Sequence, residues 1–209
     1  MRVYKYLGSK WGREALQKKR IKISRFHELN DPFDCHAVSF DTDAEREAWQ
    51  RAIIRIGQDR ALTCFSRHFH NPLLWSHYAE DHRGIVLGFD VDSSVGFLDV
   101  KYASSFLDCR GFLGFSESRK IQAIKNALSR KYLQWKYENE VRFFIDLDHE
   151  CRENGLYFLD FGEQLKLCEV IIGPRSNLPM AEIESDCAPF NVRPRKASLS
   201  GNKYEIVLD

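Results

Sequence analysis

Residues Tyr137 to Ile145, Tyr-Glu-Asn-Glu-Val-Arg-Phe-Phe-Ile, constrain this chain more than any other stretch. From Val141 onward they alternate. Val141, Phe143, Ile145 and Leu147 take one face at period two, opposite Arg142, Phe144, Asp146 and Asp148, which is the pattern of a strand. Carried backward, the alternation sets Glu138, Glu140 and Arg142 on one side, just where the strand begins. Two carboxylates and a guanidinium therefore converge at a strand mouth. Like charges so close raise one carboxyl pKa while Arg142 favours ionisation, so the pair suits one acid or base and one fixed anion. An exposed edge strand carrying a solvated Glu-Arg pair has the same spacing, and would contribute little to stability.

With 209 residues and 44% hydrophobic content, the chain is long enough for one well-buried domain, and residues 1–209 are read as a single domain. Lysine plus arginine number 31 against 30 aspartates and glutamates, a net charge of +1. No global field then recruits nucleic acid or an anionic membrane, and any polyanion contact must be local. The opening Met1-Arg2-Val3-Tyr4-Lys5-Tyr6 enters a strand-like pattern without the apolar run of a signal peptide. Nowhere do about 18 apolar residues run together, so no membrane span is expected and a cytoplasmic location is. Cys35, Cys64, Cys109, Cys151, Cys168 and Cys187 are scattered without a C-x-x-C pair, which weakens zinc-ribbon and disulfide-scaffold readings and favours small buried hydrophobes.

The remaining pattern reads as strands and helices in turn. A strand at Val3 to Leu7 precedes a helix from the N-cap Ser9 to about Lys19, then a strand at Ile21 to Ser24. Leu29 to Asp34 has turn chemistry throughout, and Pro32 keeps Asp31 out of the helical region. Such a rigid loop shapes a pocket or serves as a plain turn. Thr42 and Glu45 form a capping box for a helix burying Ala44, Ala48, Trp49, Ala52, Ile53 and Ile56, ending at Gly57. Ala61 to Ser66 forms a strand that leaves the Ser66 hydroxyl at the loop mouth. Asn71-Pro72 starts a helix, Leu73 to about His82, that Gly84 stops.

Ile85 to Phe89 is a continuous apolar run, as in a buried central strand. Ser116 to about Trp135 reads as one long helix burying Ile121, Ile124, Leu128 and Tyr132, with a basic outer stripe of Arg119, Lys120, Lys125, Arg130, Lys131 and Lys136. That stripe is a solvated face or a polyanion contact. Further strands follow at Leu156 to Leu159 and Val170 to Gly173, a short helix at Leu178 to Ser185, and strands at Val192 to Leu199 and Tyr204 to Leu208 around a Ser200-Gly201-Asn202 turn. The expected class is α+β, with mostly antiparallel sheets and packed helices.

Four of the seven histidines fall between residues 68 and 82, beside Cys64. His77 and His82 stand at i, i+5, which is not a facing pair, and no H-E-x-x-H motif occurs, so no metal site is assigned. His77 and Tyr78 line a pocket or pack as core residues. P-loop, G-x-G-x-x-G and G-x-S-x-G motifs are all absent, which disfavours the corresponding nucleotide and serine-hydrolase chemistries.

The order of motifs resembles a bacterial and phage family known only as a domain of unknown function. It is carried by Tyr4-Lys5-Tyr6, Asn30-Asp31-Pro32-Phe33-Asp34, Thr63-Cys64-Phe65-Ser66, Leu74-Trp75-Ser76-His77-Tyr78-Ala79, His82-Arg83-Gly84, Val100-Lys101-Tyr102 and Trp135 to Arg142. More distantly, the chain resembles ADP-ribosyltransferases of the Arg-Ser-Glu type. Their order of a first-strand basic residue, a serine ending a middle strand and Glu-x-Glu entering a late strand is matched here by Arg2 or Lys5 with Tyr6, by Ser66, and by Glu138-x-Glu140.

That second resemblance implies an ADP-ribosyltransferase-like fold and NAD as substrate. Glu140 would stabilise the oxocarbenium and hold the ribose 2′-hydroxyl, Glu138 would orient or deprotonate the acceptor, and Ser66 would fix Glu140. Trp75 or Tyr78 would stack on nicotinamide or adenine, Lys5 or Arg142 would meet the pyrophosphate, and Tyr6, Asn30, Asp31 and His77 would complete the NAD contacts. The acceptor would be a protein or a nucleic acid, or water in NAD hydrolysis, in a setting such as phage-host conflict. Two other readings stay open. One is a metal-dependent nuclease or hydrolase using Asp31, Asp34, His68, His77 and Glu140; the other is a non-catalytic module binding a nucleotide or protein through the Trp75-Tyr78 helix.

Overall fold

The computed structural model describes residues 1–92, 96–148 and 152–208. In chain order the elements are β1 (Arg2–Leu7), α1 (Ser9–Lys18), β2 (Arg20–Ile23), β3 (Val38–Ser39), α2 (Asp43–Asp59), β4 (Arg60–Ser66), α3 (Pro72–Tyr78), β5 (Ile85–Val91), β6 (Phe97–Asp99) and β7 (Lys101–Ala103). They continue with β8 (Leu107–Asp108), α4 (Glu117–Leu128), β9 (Arg130–Tyr132), β10 (Glu140–Asp146), β11 (Tyr157–Asp160), β12 (Leu165–Ile172), α5 (Met180–Cys187), β13 (Arg195–Leu199) and β14 (Ile206–Leu208). Among the described residues eight strands form one sheet, ordered β14-β13-β12-β5-β1-β4-β10-β6 and antiparallel except between β12 and β13. The chain is therefore α+β with a mostly antiparallel sheet, as its patterning implies. Among the described residues no helix is long and apolar enough to cross a membrane.

Helices cover both faces of the sheet, which explains the unbroken apolar run of β5. Ile85, Leu87 and Phe89 join Val3, Leu16, Val170 and Ile172 beneath α1 and α5. Val86 points the other way, to Tyr4, Tyr6, Trp75 and Ile171 beside α3. A third cluster packs Leu62 of β4 against Trp49 and Ile53 of α2 and Ile124 and Leu128 of α4. The predicted capping box of α2 forms: the Thr42 hydroxyl accepts from Glu45 N, and the Glu45 carboxylate accepts from Thr42 N. The helix passes Gly57 and ends at Asp59, and Ala44 is exposed rather than buried. Ser9 is the first residue of α1, with Gly8 as its cap.

Two helix ends depart from the pattern in ways that matter for the site. α3 stops at Tyr78, four residues before the expected end, and Glu80, Asp81 and His82 all adopt left-handed φ values of 51°, 50° and 70°. The cause is the tight entry into β5. A Cβ added to Gly84 would come within 2.1 Å of the Leu7 carbonyl oxygen, so the glycine permits the close approach of two backbone segments rather than stopping a helix.

α4 stops at Leu128, not Trp135. The Ser129 hydroxyl donates to the Lys125 and Asn126 carbonyls, after which β9 pairs in parallel with β7 and a 3-10 helix runs from Leu133 to Glu138. The apolar face of α4 consists of Ala123, Ile124, Ala127 and Leu128, while Ile121 and Tyr132 are exposed. The continuous basic stripe therefore does not exist. Lys131, one of its expected members, is buried. Cys35, Cys64, Cys109, Cys168 and Cys187 are free thiols, and Cys151 lies outside the described residues.

Candidate functional site

The site lies where the sheet forks. β10 pairs with β4 along its whole length, from Glu140 opposite Ser66 to Asp146 opposite Arg60. The other edge of β4 is shared between two partners: β1 meets it at Tyr4–Ser66, and Ser24, just beyond β2, meets it at Leu62. Lys5 spans the gap between them. Its ammonium donates to the Cys64 carbonyl at 3.0 Å and to the Thr63 hydroxyl at 3.2 Å, satisfying a backbone acceptor that pairs with no strand on that side. A cleft of about 210 Å³ opens there, lined by Lys5, Tyr6, Ser24, Asn30, Cys64, Ser66, Tyr78, Lys131, Glu138 and Glu140, among others.

Local backbone geometry delivers both glutamates to this cleft. Glu138 ends the 3-10 helix and Glu140 begins β10, with Asn139 between them at φ 45°. Asparagine tolerates that left-handed conformation, and the reversal lets the two flanking side chains fall on one side. Lys131 stands between them, its ammonium 2.5 Å from Glu138 Oε2 and 3.2 Å from Glu140 Oε2. Tyr78 donates to Glu138 Oε1 at 2.6 Å, and Asn30 Nδ2 donates to the Tyr78 oxygen at 2.7 Å. On the far side Arg142 grips Glu140 through Nε at 2.8 Å and Asp34 through Nη2 at 2.7 Å, while its Nη1 meets the Leu128 carbonyl at the end of α4. The result is a continuous chain of hydrogen bonds from Asn30 to Asp34, charged from Glu138 onward.

The two carboxyl groups are driven apart electrostatically. Burial pushes Glu138 up, and although Lys131 and Tyr78 oppose this, the Glu140 charge adds to it. Burial acts on Glu140 in the same direction, but Arg142 and Lys131 outweigh it and hold the carboxyl well below its usual range. Burial also lowers the Lys5 amine and raises the Asp34 carboxyl. The Tyr78 hydroxyl donates to the ionised carboxylate, which favours that form, and its oxygen can also accept from the protonated one. Glu138 can thus carry a proton without losing that bond. One carboxyl raised beside one depressed is the electrostatic split that the Glu-x-Glu-x-Arg spacing implies.

The structure brings together Lys5, Tyr6, Asn30, Ser66, Tyr78, Glu138 and Glu140, all of which line the cleft. It uses others differently. Ser66 donates to the Glu138 backbone carbonyl at 2.7 Å, so it fixes the loop rather than the Glu140 carboxylate. Arg142 is 0% exposed with its guanidinium wholly engaged, which leaves no face for a pyrophosphate; its place is behind Glu140. Trp75 is also 0% exposed, donates to the Phe69 carbonyl and packs edge-on to Tyr6, so it is core and no stacking platform.

Asp31 turns back to accept from Phe33 N at 2.9 Å, closing its own loop. His77 is exposed and lies against Tyr137, outside the cleft. His68 stacks on His70, with ring centroids 4.4 Å apart. Among the described residues no three His, Cys, Asp or Glu side chains group as a metal site; of the set Asp31, Asp34, His68, His77 and Glu140, Asp34 and Glu140 meet, and they do so across Arg142. Lys131, central to the site, is the residue that helical periodicity concealed.

Comparison with protein-family models, with curated proteins and with solved structures gives no match to this chain.

Proposed function

We propose that the cleft cleaves the nicotinamide-ribose bond of NAD, passing ADP-ribose to a nucleophile on a protein or nucleic acid, or to water. The observation that supports this most is the pair of buried carboxylates around Lys131, one pushed up and one held down, at the wall of an open cleft. Cleavage sends the bonding electrons to nicotinamide and leaves positive charge on the ribose, so a fixed anion favours the transition state over the ground state. Glu140 has that role. Glu138, with its affinity for a proton raised, takes the proton of the incoming nucleophile as its lone pair bonds to C1′. A 210 Å³ cleft holds the nicotinamide riboside end, where the bond breaks, with the ADP half extending beyond it.

Purified protein incubated with NAD should release nicotinamide with the chelator EDTA present, and NAD should raise the melting temperature. No release with any acceptor mixture, together with an unmoved melting temperature, would remove NAD from the reading. Tyr78→Phe supplies a pH test. The Tyr78 bond favours ionised Glu138, so its loss raises the Glu138 pKa further. A base acts only when deprotonated, so the acid limb of the pH-rate profile should move to higher pH. An acid limb that stays in place takes Glu138 out of the base role.

A further inference from the structure

A second, larger groove opens from the same fork. It measures about 720 Å³, runs between α1 and the β2–β11 pair, and shares Lys5, Tyr6 and Ser24 with the cleft. Its walls carry five cations, Lys5, Lys10, Lys18, Arg20 and Lys22, against two acids, Glu14 and Glu153. This is a local concentration in a chain of net charge +1, because five of the eight residues from Lys18 to Arg25 are basic. The acids that pair with Lys18, Arg20 and Lys22 do so in partly exposed ion pairs, which contribute little to stability. Trp11 is 57% exposed at the groove wall with Lys10 above its ring, and Arg20 lies over Phe158.

From this we infer that the groove binds a single-stranded polynucleotide, with phosphates along Lys10, Lys18 and Lys22 and a base stacked on Trp11. Amines tracking a backbone beside exposed aromatic faces are the pattern of sequence-tolerant single-strand binding. A duplex, whose bases are stacked and paired, offers nothing to Trp11 or to the fork. The strand's binding stands on the groove alone. Its role as acceptor rests on the proposed transfer, since the fork leads from the groove to Glu138.

Fluorescence anisotropy with a labelled single-stranded octanucleotide tests this on the whole protein. Affinity should fall with salt, and K10A/K18A/K22A should flatten the log-log salt slope by about 2, near 0.7 for each lost phosphate contact. W11A should weaken binding about tenfold. E140Q should bind the strand as the wild type does, so a failure of catalysis and a failure of this inference are distinguishable. Equal binding of a duplex, or a triple variant with the wild-type slope, overturns the inference. So does displacement of the octanucleotide by ADP with no loss of affinity on shortening to a dinucleotide, which would give the groove to the ADP half of NAD.

Discussion

The Glu140→Gln protein is expected to release nicotinamide from NAD on the order of 10²–10³ times more slowly than the wild type, the usual cost of removing one preorganised electrostatic stabiliser. The substitution keeps the size of the side chain and removes its charge. Three donors, Arg142 Nε, Arg142 Nη2 and Lys131 Nζ, now point at the Glu140 carboxylate, so one of them must face the new amide nitrogen instead. Some stability is therefore lost as well, and the rate must be compared at a temperature where both proteins are folded. A rate within tenfold of the wild type, with the fold intact, would place the anionic stabiliser elsewhere.

Arg142→Leu should destabilise the fold by about 3–5 kcal/mol, the range for removing one partner of a buried ion pair. In a domain of this size that lowers the melting temperature by on the order of 10 °C. Arg142 is fully buried and holds Asp34, Glu140 and the Leu128 carbonyl at once, while the carboxylates left behind are 5% exposed or less at the side chain.

The effect carries a pH signature. In the wild type the Glu140 pKa is depressed from 4.5 to about 2, so its contribution to stability is complete above the unfolded value and disappears as pH falls through the folded one. The gap between wild type and variant should thus narrow between about pH 4.5 and pH 2, as read from urea midpoints. A constant gap would mean that Arg142 acts through packing alone. Arg142→Lys should recover only part of the loss, because an ammonium lacks the planar fork with which Arg142 reaches Glu140, Asp34 and the Leu128 carbonyl at once.

How far the sequence reaches is clear from β10 and Lys131. The period-two pattern from Val141, with Glu140 on the side of Arg142, describes the observed strand, because a one-residue slip would turn Phe143 out of the core; Glu138 lies outside the strand and reaches that side through the left-handed Asn139, not through the alternation. The apolar run at β5 and the cap at Thr42 were equally legible, being local signals. Lys131 was not. Ile121, Ile124, Leu128 and Tyr132 satisfy helical spacing, and only the Ser129 hydroxyl, turning back to two carbonyls, ends the helix. A side-chain cap of that kind has no pattern of its own. Trp75 and Arg142 share another ambiguity: large polar-edged side chains suit a ligand or a core equally well in sequence, and only burial separates them. The basic groove is not a pattern of any one element: Lys5 comes from β1, Lys10 and Lys18 from α1, and Arg20 and Lys22 from β2, and only the fold gathers them on one groove.

The network at the fork joins residues far apart along the chain. Asn30 and Asp34, Tyr78, Lys131, and Glu138 to Arg142 come from four separate stretches, and the Arg142–Asp34 contact alone spans 108 residues. No helix or hairpin holds any of these ion pairs on its own. Glu140 and Arg142 are neighbours on β10, but Asp34 and Tyr78 join them only when the chain between has folded. The desolvation penalty falls due only as the opposing charge arrives. A fold of such distant pairings closes slowly, since chain entropy is lost before long-range contacts return it. Its candidate active site is accordingly a property of the completed topology, and no excised fragment short of the Asn30–Arg142 span could reproduce it.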